Sequence, residues 1–454
     1  MSNERLAHGR LANDLVVSEE TILETCGDPP LPRMGVIEQV WETDPIPDSE
    51  LESRAANTVD ALSLEDVPVG GTVALGVGSR GIANLATIVR GVVDGVSEQG
   101  YEPFVFPAMG SHGGATADGQ REKLATLGVT EESVGCKIRS SMEVVELGRT
   151  PERGVPLVTD ANAAAADAIV PINRVKAHTD FDGDVESGLS KMLVIGMAKQ
   201  RGAKIAHDWA IDWSFRNMIP EITSQLLEEL PVVGGVAIVE DQRDDTALIE
   251  GIAPSGFLDR EAELLQTAFE SMPKLPFMDL DVLVVDRIGK DVSGQGMDTN
   301  VIGRRPFAIN EPEPDVPEIK RIYARGLTEK TRGNAMGVGS ADFVHRDVIS
   351  GIDASTSLIN ALTASTVRGV RLPPVVETDR AGLVAALSTI GVVDAADVRV
   401  LRVTDTMRLQ RCYASEALVE AARERESLRV IEEPTTIDFE GGEFSDPAPD
   451  DHRT

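Results

Sequence analysis

The sequence predicts an α/β protein: two α/β domains with mostly parallel sheets and an active-site cleft between them. Three observations predict this. Short β-branched runs alternate with longer segments of helical apolar spacing along the chain. The 454 residues suffice for two domains with sizeable cores. Several prolines and a glycine fall within residues 254–278, and a second β/α series opens directly after them. The expected extents are therefore 1–275 for an N-terminal α/β domain and 276–435 for a C-terminal α/β domain. The acidic stretch 436–454 is expected to be a disordered tail, and residues 1 to about 12 a frayed arm.

The elements follow in order. TVALGVG (72–78) is apolar and reads as a strand. IANLATIVRGVVDGVSEQG (82–100) carries helical spacing and stops on Gly100. YEPFVFPAMG (101–110) is the next strand and runs into a glycine-rich loop. DAIVPINRVK (167–176) is β-branched and apolar, again a strand. SKMLVIGMAKQRGAKIAHDWAI (190–211) reads as a helix broken near Gly202, and GGVAIVED (234–241) as a strand. The second series runs from LDVLVVD (280–286) through STSLINALTAS (355–365) and DRAGLVAALSTIG (379–391) to ADVRVLRVTD (396–405). Such alternation builds a parallel sheet whose ligand lies beyond the carboxyl ends of the strands.

Composition excludes several function classes. The net charge is −32, from 75 acids against 43 bases. Phosphate contacts need lysine and arginine, so no nucleic-acid partner is expected. Acids dominate along the whole chain, which reads as adaptation to a salt-rich cytoplasm, where self-repulsion is screened. There is no apolar run of membrane-spanning length and no secretory leader pattern, so neither a membrane partner nor export is expected. Cys26, Cys136 and Cys412 are distant and odd in number, which argues against a disulfide framework and a cysteine-built zinc site.

Three motifs carry chemistry. Gly76-Val-Gly78-Ser79-Arg80-Gly81 fits G-x-G-x-x-G between a strand and a helix, a place for an anion. A dinucleotide site would also want an acid at the end of the next strand, and Phe106-Pro-Ala-Met-Gly110 has none. Met109-Gly-Ser-His112-Gly-Gly places a histidine, suited to proton transfer, in a mobile loop after a strand. The stretch His178-Thr-Asp-Phe-Asp-Gly-Asp-Val-Glu-Ser-Gly-Leu-Ser-Lys191 combines one of six histidines and one of ten lysines with four acids. His207 follows sixteen positions later. The acids do not match a calcium loop, because Gly183 stands fourth and Lys191 twelfth; they read as an exposed acidic loop. Ser187-Gly188 opens a helix, a candidate phosphate seat, with Lys191 in its first turns. His178, His207 and the nearby acids lack zinc spacing. His8, His345 and His452 receive no role.

Taken together, these motifs resemble those of the nickel-dependent lactate racemases and their wider superfamily of racemases and epimerases. The likeness covers about residues 70–210; beyond 280 only the general plan matches. The resemblance implies a nickel-pincer nucleotide, a pyridinium-3,5-bisthiocarboxylate mononucleotide, joined to Lys191 through a thioamide. It implies His207 as the protein ligand to nickel in a planar site. The nucleotide phosphate would lie at Ser187 and Gly188, and Gly78 and Ser79 would help hold the cofactor. His112 and His178 would serve as two acid/bases while hydride passes to the cofactor, with Arg80 on the substrate oxygen. The implied partners are a small hydroxyacid and the enzymes that build the cofactor.

Two departures from lactate racemase stand out. Val77 replaces an expected acid upstream of Arg80. The loop after Lys290-Asp291 lacks the family's Tyr-Gln pair and its carboxylate-gripping lysine. Lys290, Arg304 and Arg305 are the candidates for a substrate carboxylate instead, and Asp298 and Asn300 for hydroxyls of a longer acid. Two other readings compete: a nicotinamide-dependent dehydrogenase using the Gly76–Gly81 turn, and a non-catalytic anion-binding protein on the same scaffold.

Overall fold

The computed structural model describes residues 14–79, 81–306 and 311–449; the expected frayed arm lies outside them. The chain divides into two units. Among the described residues, one comprises those within 43–272 together with 311, and the other comprises 14–42, 273–306 and 312–449.

The first unit is built on six strands: β1 (Thr72–Val77), β2 (Glu102–Pro107), β3 (Lys137–Ile138), β4 (Ala168–Arg174), β5 (Gly235–Glu240) and β6 (Thr246–Ile252). Their order across the sheet is β6-β5-β4-β1-β2-β3, parallel except at the β6 edge. Both faces are covered, so the strands are almost wholly apolar. Alternate residues feed separate cores. Val73, Leu75, Val105, Val170 and Ile238 pack on the face carrying helix α1 (Leu85–Glu98). Ala74, Phe104, Phe106, Ile169 and Val239 pack on the opposite face.

Five further helical segments position the site: α2 (Ala117–Thr126), α3 (Leu189–Lys191), α4 (Lys199–Trp213), α5 (Phe215–Glu229) and α6 (Phe257–Ser271). A π-helical turn, Met192–Gly196, joins α3 to α4. The break expected near Gly202 falls earlier, at Lys199, whose φ is +56°. Gly202 continues the helix, because its missing Cβ leaves room for that of Ala198.

The second unit carries a nine-stranded sheet. Val16–Val17, Val375–Val376, Phe343–His345, Glu318–Ala324, Asp279–Val285 and Val400–Val403 pair in parallel. Arg411–Ser415, Met34–Gln39 and Leu428–Thr435 complete it in antiparallel fashion. Two expectations are corrected here. Residues 34–39, assigned to the first domain, form a strand of this sheet, paired on both edges. The supposed tail also folds, through residue 449: Phe439–Glu440 and Glu443–Phe444 form a hairpin whose Phe439 and Phe444, with Ile437, pack on the core. Acidic composition hid those three apolar anchors.

Candidate functional site

The sequence motifs meet at the carboxyl ends of β1, β2 and β4. The chain runs outward from β1 to β2 and β3, then returns to place β4 on the other side of β1. This reversal of strand order opens a crevice at the strand ends in open α/β sheets. Ser79 follows β1, His112 follows β2, and the segment from Val175 to Lys191 follows β4.

Ser79 and His112 are direct partners, Ser79 Oγ bonding to His112 Nδ1. A hydroxyl can donate or accept, so either tautomer of the His112 ring is accommodated. The turn before His112 is tied down: the Gly110 N–H donates to Gly196 O at 2.9 Å and the His112 N–H to Met109 O at 3.1 Å. Gln120, buried on α2, donates through Nε2 to Gly110 O at 2.8 Å and His112 O at 3.3 Å.

The glycine motif works differently from the expectation. A Cβ on Gly76 would lie 3.0 Å from the Phe106 ring, and one on Gly78 would meet Met192 Cε at 3.0 Å and Asn173 Oδ1 at 3.1 Å. These glycines make room for packing side chains. The start of α1 is likewise taken, because the Ala83 N–H donates to Glu240 Oε1 at 2.7 Å. An acidic side chain of the protein already sits where a dinucleotide phosphate would need to approach, which counts against both the dehydrogenase and the anion-binding readings. Gly78 instead brings the Ser79 loop against α3. Asn173 bridges them, donating through Nδ2 to Gly188 O at 3.1 Å.

The acids of the 178–191 stretch are not all surface charge. Glu186 is buried and organises the loop, accepting the His178 N–H at 2.5 Å and the Gly183 N–H at 3.1 Å. The Asp180 N–H donates to His178 Nδ1 at 3.0 Å. A ring that accepts at Nδ1 carries its proton on Nε2 when neutral. His178 packs on Phe181 with ring centroids 4.6 Å apart, Phe181 on Phe215 at 5.4 Å, and His207 meets Phe215 edge-on at 5.3 Å. The two histidines thus share one aromatic wall.

His207 stands on α4, and its Nδ1 is buried with no hydrogen-bond partner among the described residues. Burial, then the Lys191 ammonium, lower its pKa, opposed by Asp180 and Asp208. The neutral ring, which keeps a lone pair for a metal, is therefore favoured. Lys191 is close enough to act on His207 electrostatically, so a tether and a metal ligand fit together here. The phosphate seat does not fit as expected. Glu261 Oε2 accepts the Ser190 N–H at 2.9 Å and Ser190 Oγ–H at 2.7 Å, and a Cβ on Gly188 would collide with Oε1. The start of α3 is capped by this buried carboxyl, whose pKa burial raises to about 7. Ser187 is occupied in another way, exchanging backbone hydrogen bonds with Lys176 at 2.8 and 3.1 Å.

Other expected residues are placed as follows. Arg80 lies outside the described residues. Arg304 is a brace: its guanidinium meets Asp342 Oδ2 at 2.7 Å and donates to the carbonyls of Ser340, Ile319 and Lys320. These partners include the amino end of the strand Glu318–Ala324, whereas Lys290 follows the carboxyl end of Asp279–Val285 beside it. Lys290 Nζ folds onto Gly294 O at 2.5 Å. Asp298 is a buried helix cap, accepting the Asn300 N–H at 3.0 Å. Among the described residues, the only group of three histidine, cysteine or acidic side chains with metal-like spacing is His345, Asp379 and Glu443 in the second unit; His178 and His207 join no such group. Asn173, Glu186, Gln120 and Glu261 were missed by sequence reasoning, and only the isolated polar Asn173 in an apolar strand gave a signal.

No protein-family profile and no curated protein matches the chain. Among solved structures, a Thermotoga maritima protein is 14% identical, covering 63% of this chain and 72% of its own with a TM-score of 0.44. The lactate racemase apoprotein of Thermoanaerobacterium thermosaccharolyticum is 12% identical, covering 82% of this chain and 89% of its own with a TM-score of 0.41. These are distant likenesses and locate neither a site nor an activity. No helix among the described residues is long and apolar enough to cross a membrane.

Proposed function

We propose that the chain is an isomerase, a racemase or epimerase of a lactate-like or longer 2-hydroxyacid, working in the cytoplasm with a nickel-pincer nucleotide tethered to Lys191. One observation carries the reading: beside the Lys191 ammonium, His207 holds a buried Nδ1 that no group among the described residues satisfies. An unmet buried nitrogen costs stability, and ligation of a metal meets it. Held by Lys191 and His207, the cofactor would supply hydride transfer at the carbon bearing the substrate hydroxyl.

The chain's own residues have distinct parts. The neutral His178 ring holds its proton at Nε2 and donates toward a substrate oxygen. His112, backed by a hydroxyl that suits either tautomer, takes up or returns the hydroxyl proton. Arg80 is assigned to the same oxygen. Phe181 and Phe215 keep water from the His178–His207 wall. The partners are the hydroxyacid and the enzymes that build the cofactor; a chain of net charge −32 calls for no nucleic acid or membrane.

The test is intact and peptide mass spectrometry on protein from its native host, with nickel analysis of the same sample. A nucleotide-sized adduct on the Lys191 peptide and near-stoichiometric nickel are expected. Unmodified Lys191 without nickel, in a host shown to make the cofactor, would overturn the reading.

A further inference from the structure

Lys199 is a lysine that the proposed reaction does not use, and it is almost fully buried. Its ammonium donates two hydrogen bonds, to Gln120 Oε1 at 3.1 Å and to the carbonyl of Pro107, and Asp160 Oδ2 lies 2.9 Å away as its ion-pair partner. Asp160 is buried too, and its Oδ1 accepts the Asn162 and Ala163 N–H groups at 2.7 and 3.1 Å. Burial pushes the lysine pKa down, and Asp160 opposes this.

The consequence lies one bond further on. Because Lys199 donates to Gln120 Oε1, the amide of Gln120 has a single orientation, with Nε2 facing the carbonyls of Gly110 and His112. Reversed, it would set NH₂ against ammonium and oxygen against two carbonyls. The Pro107 carbonyl held by Lys199 ends β2, where the His112 loop begins. Lys199 also keeps a left-handed backbone, a conformation that is costly for a non-glycine residue and persists only where its surroundings impose it. The turn Met192–Gly196 links it to Lys191, and Gly196 O holds the Gly110 N–H.

We infer that Lys199, with Asp160 behind it and Gln120 in front, is a positioning residue that sets the His112 imidazole against Ser79 and in register with the Lys191 helix. The inference rests on the proposed reading for its catalytic meaning, since it is there that His112 moves a proton. It assigns the fixed lysine a task in the site without contact to substrate or cofactor.

The test follows the ring of His112 by ¹³C-histidine NMR in the full chain, with its resonance assigned by His112→Gln among the six histidines. Gln120→Met removes the link and leaves the buried ion pair, so it keeps the fold. Lys199→Met removes the source, and Lys199→Arg retains charge. In Gln120→Met and Lys199→Met the His112 resonance and its pH titration should move, and amide exchange over 110–116 should accelerate about tenfold. The rings of His178 and His207 should stay in place, and Lys199→Arg should restore part of the His112 signal. Where Lys199→Met fails to fold, Gln120→Met decides alone. A folded Gln120→Met whose His112 resonance and titration match the parent would overturn the inference, leaving Lys199 a purely structural lysine. Neither nickel nor substrate enters the measurement, so an unmodified Lys191 leaves the positioning intact, and an unmoved His112 sinks it even with cofactor present.

Discussion

Each unit contains a histidine among charged neighbours, and the two clusters differ in how much bonding capacity is left over. In the second unit His345, Asp379 and Glu443 offer ligand atoms within 4.8 Å of one another, which looks like a metal site. Asp379 has no lone pair to give. Oδ1 accepts from Tyr323 Oη at 2.9 Å and Arg325 Nε at 2.7 Å, while Oδ2 accepts from Arg325 Nη2 and from the Phe444 N–H at 2.9 Å. Four acceptor positions meet four donors, and the cluster fastens the C-terminal hairpin. In the first unit His207 Nδ1 is equally buried and has no hydrogen-bond partner among the described residues. The residue types are similar, but only the unmet nitrogen points to something that must arrive from outside.

Breaking the satisfied cluster should give the largest effect. Burial alone would raise the Asp379 carboxyl, but the Arg325 guanidinium outweighs it and holds the pKa below the usual range. Asp379→Ala strands Tyr323 Oη and the Phe444 N–H and leaves Arg325 with only Asp286, at 2.7 Å. A loss of about 3 kcal/mol or more is expected in urea unfolding. A loss under about 1 kcal/mol would show the cluster to be poorly satisfied and reopen its reading as a metal site.

A middle-sized effect tests Glu261, the buried carboxyl at the start of α3. Its folded pKa, about 7, lies above the usual glutamate value of 4.5, so the native state binds the proton more tightly than the unfolded chain. Stability from this group is therefore full below about pH 4.5 and falls as pH rises toward 7, by at most on the order of 3 kcal/mol. Glu261→Gln should remove that slope. Relative to the parent, its urea midpoint should rise between pH 5 and pH 8. Parallel pH profiles for the two proteins would mean that the carboxyl ionises freely.

These contrasts show which parts of the molecule were legible in the sequence. The central strands β1, β2, β4 and β5 of the first unit were, because burial on both faces writes itself as an apolar run, whereas the edge strands β3 and β6 were not. The strand 34–39 was not, since its partners at 411–415 and 428–435 lie hundreds of residues away and nothing local names them. The motif residues that gather at the strand ends were legible as chemical types, but their partners were not. Gly76 and Gly78 suggested an anion loop, although the space they leave holds Phe106 and Met192. Gly188 suggested a phosphate seat, although Glu261, 73 positions later, fills it. A glycine records that something comes close and is silent about what. Lys199 was equally silent, because its importance lies in two acceptors and one carboxylate contributed by distant segments.

The smallest stability effect is the one that separates the two clusters most sharply. His207→Leu keeps a similar volume against Phe215 and removes a buried nitrogen that has no partner. Losing an unsatisfied polar atom is neutral or favourable, so the urea midpoint should shift by no more than about 1 kcal/mol in either direction. Nickel retained by protein from the native host should nevertheless disappear, while a Lys191 adduct, held covalently, persists. A loss comparable to that of Asp379→Ala would mean that the His207 ring is structurally bonded after all, and the contrast between the clusters would collapse. An unchanged midpoint with unchanged nickel would keep the contrast and move the metal ligand elsewhere. Stability unchanged and metal lost is the combination that a vacant ligand position requires, and a packing histidine cannot produce it.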